Sequence, residues 1–123
     1  METGLKYTSE MTVEERHLAM NIGSGDLPVL GTPVMLSLME NAAMNAVKGT
    51  LHEGETTVGS FISSTHVRPT KQGDTIHAEA TLTAIEGRKL TFKVVASDSK
   101  GIIGEGEHIR YIINIEKFLS KLV

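Results

Sequence analysis

The chain has 123 residues, 40% apolar and 22% charged, with a net charge of −3 and no cysteine. That length suits one domain, residues 1–123, around one core. The mildly acidic balance offers no electrostatic footprint for nucleic acid or an anionic membrane, and the lack of cysteine excludes disulfides, thiolate nucleophiles and cysteine-ligated metals.

Residues 1–10 read as a short lead-in without an apolar run of signal-peptide length, and no stretch approaches the roughly 18 apolar residues of a membrane span. A cytoplasmic protein is expected. Residues 12–20 are predicted as a first strand, against the weight of Glu14-Glu15-Arg16. Residues 21–30 carry Gly23, Gly25, Asp26 and Pro28, which is loop chemistry.

The longest helical signal follows, over residues 33–48. Thr32 is placed to cap its first turn, Pro33 suits the first helical position, and Gly49 suits a left-handed stop. At about 100° per residue, Ser37, Asn41, Asn45 and Lys48 fall in one polar sector. Glu40 lies outside that sector, among Leu36, Ala43, Met44 and Val47. A buried, unpaired carboxylate costs several kcal/mol in practice. Glu40 is therefore expected to have a partner or a use.

From Thr56 the period changes from 3.6 to 2. Residues 56–68 are predicted as a strand with Val58, Ile62 and His66 on one face and Phe61, Thr65 and Val67 on the other. Residues 69–74 form a turn. Residues 75–85 alternate cleanly, with Ile76, Ala78, Ala80, Leu82 and Ala84 on one side. After a turn at 86–89, Leu90, Phe92, Val94 and Ala96 line the next strand. Residues 102–114 make the last strand, interrupted by Gly104 and Gly106, which suggests a bulge, and 115–123 a short terminal helix. Tight turns imply antiparallel neighbours. The result is an α+β layer, with one long central helix wrapped by a curved antiparallel sheet.

At this point the residues resemble a known family. Gly31-Thr32-Pro33-Val34, Leu38-Met39-Glu40-Asn41-Ala42-Ala43, Thr65-His66-Val67-Arg68-Pro69-Thr70 and Gly101-Ile102-Ile103-Gly104-Glu105-Gly106 are similar to segments of the fluoroacetyl-CoA thioesterase type of acyl-CoA thioesterase, a hotdog-fold family. The resemblance runs over about residues 28–118. It implies hydrolysis of a small or medium acyl-CoA by a Thr/Glu/His site, with Thr32, Glu40 and His66 as catalytic residues. It further implies no cofactor beyond the coenzyme A of the substrate. Gly59, in the strand leading to His66, reads as a close-approach position where a side chain would block an acyl group or a neighbouring backbone, and is a substrate-binding candidate. No Phe or Trp precedes Phe61, so an aromatic lid over a fluorinated acyl group is not carried over.

Thioester hydrolysis needs a group to activate the attacker and a group to hold the developing oxyanion. Glu40 suits a general base on water or a nucleophile on the carbonyl. His66, if its strand face meets the helix, would look at Glu40 and shuttle the proton. Thr32 is already explained by helix capping, and it lies eight residues before Glu40, about 12 Å of helix rise. Arg68, Lys71 and Arg110 are candidates for coenzyme A phosphates. The glycines of 101–106 lack the Lys-Ser/Thr of a phosphate loop and open no helix. His17, His52, His77 and His108 show no metal-ligand spacing, so no metal is expected.

Hotdog proteins pair edge to edge, so the resemblance implies at least a homodimer, with Glu40 and His66 from the same or from opposite protomers. Phe61, Ile85, Val95 and Tyr111 are expected outside the core. Two other readings stay open: a non-catalytic acyl-CoA or acyl-carrier binding protein, and a hotdog hydratase or dehydratase. The latter would place an Asp/His pair near the helix start, where Asp26 has no accompanying His.

Overall fold

The computed structural model describes all 123 residues. Its elements run β1 (Lys6–Thr12), a 3-10 turn (Glu15–His17), α1 (Ala19–Ile22), α2 (Thr32–Lys48), β2 (Glu55–Ser64), β3 (Thr75–Glu86), β4 (Lys89–Asp98), β5 (Gly101–Asn114) and α3 (Ile115–Ser120). The five strands form one antiparallel sheet in the order β1-β3-β4-β5-β2. The expected long helix against an antiparallel sheet is the fold found.

The cleanest alternations became the centre of the sheet. Ile76, Ala78, Ala80 and Leu82 of β3 and Leu90, Phe92, Val94 and Ala96 of β4 are all buried. They face one another across the hairpin as Ala80↔Val94 and Leu82↔Phe92. Helix α2 covers them with Met35, Met39, Ala42, Ala43 and Val47. Each large apolar side chain buried there contributes about 1.5–3 kcal/mol, so this row sets the seat of the helix on the sheet.

The first strand lies earlier than expected. Residues 6–12 pair with β3, while 12–20 turn into the 3-10 segment and α1. Pattern reading passes over β1 because its buried inward residue is Ser9, a polar one. The Ser9 hydroxyl donates to Asn41 Oδ1 at 2.7 Å, on the polar stripe of α2.

Both helix-end expectations need correcting. Gly31, not Thr32, is the N-cap, and Gly49 keeps a right-handed φ of −72°. The Thr32 hydroxyl is thereby released from capping.

Strand β2 is shorter than predicted and changes parity. A bulge between Gly59 and Phe61 inserts Ser60 into the ladder with β5. Thr57 and Gly59 before it, and Ile62 after it, pair with the inward residues Ile112, Arg110 and His108. Val58 consequently leaves the face it was expected to share with Ile62. Beyond Ser64 the chain continues along β5 by two backbone hydrogen bonds, Thr65 N–H to Glu105 O and Val67 N–H to Ile103 O, with the Glu105 amide donating to the Thr65 hydroxyl. The bulge in β5 falls at Ile103, beside Gly104. Gly104 and Gly106 themselves serve close approach: a Cβ on either would collide with the carbonyl of Thr65 or Ser63. Those glycines let the segment carrying His66 lie flat on β5.

Candidate active site

The packing of α2 against β2 and the segment after it creates two polar clusters. The first sits at the start of α2. Because Gly31 takes the cap, Thr32 begins the helix with its side chain free, and its Oγ1 lies 2.7 Å from Nδ1 of His66. The other ring nitrogen, Nε2, is buried with no hydrogen-bond partner. A buried polar atom left unpaired is uncommon enough to need an explanation. Burial holds the His66 pKa below the ordinary histidine value, favouring the neutral ring.

Thr32 and His66 line an open cleft of about 260 Å³ together with Ser24, Leu30, Val67 and Arg68. One wall comes from the glycine-rich loop after α1. Gly23 adopts φ +79° to end α1, and the amides of Ala19 and Met20 bond back to Val29 and Leu27. No Phe, Tyr or Trp side chain lines this cleft. Arg68 stands at it with its side chain 34% exposed and Nη1 3.5 Å from Asp98 Oδ1. Asp98 is already served by the Thr70 hydroxyl and the Lys100 amide, each at 2.8 Å, so its contact with Arg68 is the loosest of the three.

The second cluster lies two turns along α2. Glu40 leaves the helix over Gly59, where a Cβ would come within 3.1 Å of Glu40 Oε2 and 3.4 Å of Arg110 Nη1. The missing side chain of Gly59 is what admits the carboxylate. Glu40 Oε2 is 4.0 Å from Arg110 Nη1, with side-chain exposures of 44% and 8%. Glu40 is thus less buried in the single chain than its apolar helical neighbours imply. Arg110 is the buried member. Its Nε donates to Thr57 Oγ1 at 2.8 Å and its Nη2 to the Thr57 carbonyl at 2.9 Å. Burial lowers its pKa, and Glu40 opposes that shift.

The structure therefore brings Thr32, His66 and Arg68 together, and separately Glu40, Gly59 and Arg110. It does not bring His66 to Glu40 within one chain. The expectation that His66 shares a strand face with Val58 and Ile62 fails because β2 has ended at Ser64 and the Ser60 bulge has shifted the parity. Arg110, a candidate for a coenzyme A phosphate, is 7% exposed and gives Nε and Nη2 to Thr57 inside the fold. Thr57 and His108 join the second cluster unannounced, although His108 and Arg110 share parity on β5, a signal that period-two reading can find. No three His, Cys, Asp or Glu side chains converge as a metal site would require.

Gly59→Ala is expected to keep the fold, with a destabilisation of about 1 kcal/mol from overpacking, while the added methyl displaces the Glu40 carboxylate. A thermal melt and steady-state kinetics on one preparation check this: a wild-type turnover would mean that the carboxylate's seat on Gly59 is unimportant.

Comparison with known proteins agrees with this architecture. Residues 13–116 match the family described as fluoroacetyl-CoA-specific thioesterase. A fluoroacetyl-CoA thioesterase from Streptantibioticus cattleyicolor is 39% identical over 99% of this chain and 92% of its own length. A solved structure of a fluoroacetyl-CoA thioesterase superposes with a TM-score of 0.93 at 33% identity, covering 99% of this chain and 95% of that one. A thioesterase superfamily member from Thermus thermophilus, at 24% identity, shares the fold with a TM-score of 0.91 over 98% of this chain and 90% of its own.

Proposed function

We infer the mechanism of this chain from one premise: it belongs to the fluoroacetyl-CoA-specific thioesterase family and is an acyl-CoA thioester hydrolase. The reading is that Thr32, Glu40 and His66 carry the reaction. The observation behind it is the 2.7 Å contact of Thr32 Oγ1 with His66 Nδ1 on the wall of an open cleft, with Nε2 left over. The Thr32 hydroxyl donates to Nδ1, which fixes the tautomer with its proton on Nε2. That N–H then serves the developing oxyanion or the departing sulfur. Glu40 supplies the carboxylate that activates water or attacks the carbonyl. Gly59 gives it room, and Arg110 supports it rather than binding phosphate. Arg68, at the cleft, takes a phosphate of coenzyme A.

A general base must come within hydrogen-bond reach of the reacting centre, directly or through one water. Thr32 and Glu40 are separated by about 12 Å of one helix, so one chain does not hold a complete site. Strand β2 lies at the sheet's edge, and Phe61 on it and Val67 just beyond its end are 49% and 65% exposed. The reading therefore includes a homodimer through the β2 edge, with Glu40 of one copy serving the Thr32–His66 pair of the other. The enzyme works in the cytoplasm on this reading, and no cofactor enters the reaction.

The substrate is a short acyl-CoA. Two of the named relatives are fluoroacetyl-CoA thioesterases. The cleft here has no Phe, Tyr or Trp in its wall, so unfluorinated short acyl groups are expected to be accepted as well. Incubation with acetyl-, propionyl- and fluoroacetyl-CoA, followed by a free-thiol readout, should show coenzyme A released from all three. The two unfluorinated substrates should differ by no more than about 200-fold in kcat/KM, the range one methylene commands. Release from none of them above the rate in buffer would sink the hydrolase mechanism, and binding without turnover would favour an acyl-CoA carrier instead.

A further inference from the structure

We propose that His108 is a positioning residue for the thioester reaction: it draws one Arg110 N–H away from Glu40 and so keeps the Glu40 carboxylate free to act. This rests on the reading of Glu40 as the reacting carboxylate, and goes beyond it by assigning the residue that sets the carboxylate's state.

The geometry fixes the chemical form of His108 from both ends. The residue is 1% exposed, and its ring lies 6.2 Å from that of Phe92 in the core. Nδ1 is 2.7 Å from the Phe61 carbonyl. A carbonyl only accepts, so Nδ1 carries the proton. Nε2 is 3.2 Å from Arg110 Nη1. A guanidinium only donates, so Nε2 accepts and the ring is neutral. The charged or titratable groups facing it are Arg110 on its own strand and Glu40 from α2. The arrangement lies beside the Ser60 bulge, where the ladder slips between Gly59 and Phe61 and the Phe61 carbonyl accepts from the ring.

The consequence lies in how Arg110 spends its donors. Nε and Nη2 go to Thr57. Nη1 is the nitrogen that faces both His108 Nε2, at 3.2 Å, and Glu40 Oε2, at 4.0 Å. Without the ring's lone pair, a buried N–H would be left unsatisfied, and Glu40 is the acceptor within its reach. Burial makes an unmet donor costly, so Arg110 would close onto Glu40. A tight ion pair stabilises the ionised carboxylate and weakens it as a base or nucleophile. His108 thus acts as a competing acceptor that sets the spacing of the pair.

The test separates the two ring nitrogens. In His108→Asn the amide nitrogen keeps the donor toward Phe61, and nothing reaches Arg110. In His108→Gln the amide oxygen can stand where Nε2 stood. His108→Asn is expected to lower kcat by on the order of 10- to 100-fold, as small misplacements of reacting groups do, with KM little changed. His108→Gln should recover most of the loss, and in an Arg110→Met background His108→Asn should lower kcat no further. On the unmodified protein, nitrogen NMR of the histidine rings should show one neutral ring with its proton on Nδ1 at neutral pH. In the ring signal assigned to His108, a proton on Nε2 would overturn the proposal, as would a wild-type kcat in a folded His108→Asn, equal losses in the Asn and Gln variants, or a loss that multiplies with Arg110→Met. If Glu40→Gln also leaves kcat unchanged, the site reading fails. If Glu40→Gln is inactive and His108→Asn is not, only the role of His108 fails.

Discussion

Glu40→Gln is expected to lower kcat/KM on a short acyl-CoA by about 10²- to 10⁴-fold, the contribution of a positioned acid–base group, and to leave the fold intact. The substitution keeps the shape of the side chain and removes only its charge and basicity. Its effect on stability should be small, because the ion pair it breaks is loose: 4.0 Å between Oε2 and Nη1, with the carboxylate 44% exposed. An exposed pair of that kind is worth roughly 0–1 kcal/mol, and Arg110 keeps both bonds to Thr57 and the one to His108. Activity and stability should therefore separate cleanly, which a thermal melt beside the kinetics will show. A variant that melts like wild type and hydrolyses like wild type would remove Glu40 from the mechanism and leave it as a structural partner of Arg110.

Much of this site is legible in the sequence because it depends on local chemistry. Pro33 and the Leu-, Met- and Ala-rich run that follows announce α2, and the even alternation of β3 and β4 announces the sheet it lies on. Glu40 stands out because it breaks the helix's polar sector. What escapes the sequence are features set by tertiary contacts. A bulge costs one residue and leaves no signature in composition, yet Ser60 reverses the parity of β2 and separates Val58 from Ile62. Strand β1 escapes because its buried Ser9 is answered by Asn41 from a distant helix. Thr32 reads as a cap, since Thr is a good one, but Gly31 holds that position and Thr32 turns to His66. Arg110 and Arg68 look alike as surface cations. Only the register of β5 against β2 shows one buried on Thr57 and the other at a cleft. The glycines at 104 and 106 do signal irregular backbone, as expected, but their chief use is to admit the carbonyls of Thr65 and Ser63.

His66→Asn should lower kcat/KM by about 10²- to 10⁴-fold as well, and its pH dependence identifies the cause. Burial lowers the His66 pKa, so the active neutral ring persists to a more acidic pH than an exposed histidine would allow. The kcat/KM profile, which reports the free enzyme, should hold as pH falls through the ordinary histidine value and be lost only below it. That limb should be absent from the residual activity of His66→Asn. The same shift bears on stability. The unfolded chain binds the proton at a higher pH than the folded one, so stability is present above the unfolded value and is lost as pH falls toward the folded value. His66→Asn should soften that acid-side loss. Mixing the two inactive proteins then tests the shared site. In a heterodimer of Glu40→Gln and His66→Asn, one of the two sites would receive an intact Glu40 from one copy and an intact Thr32–His66 pair from the other. Random exchange between two-fold dimers should restore about a quarter of the wild-type activity. Restoration to nothing, with exchange verified by mass spectrometry, would place the whole reaction within one chain and require Glu40 and His66 to meet by a movement of α2 or of the segment after β2.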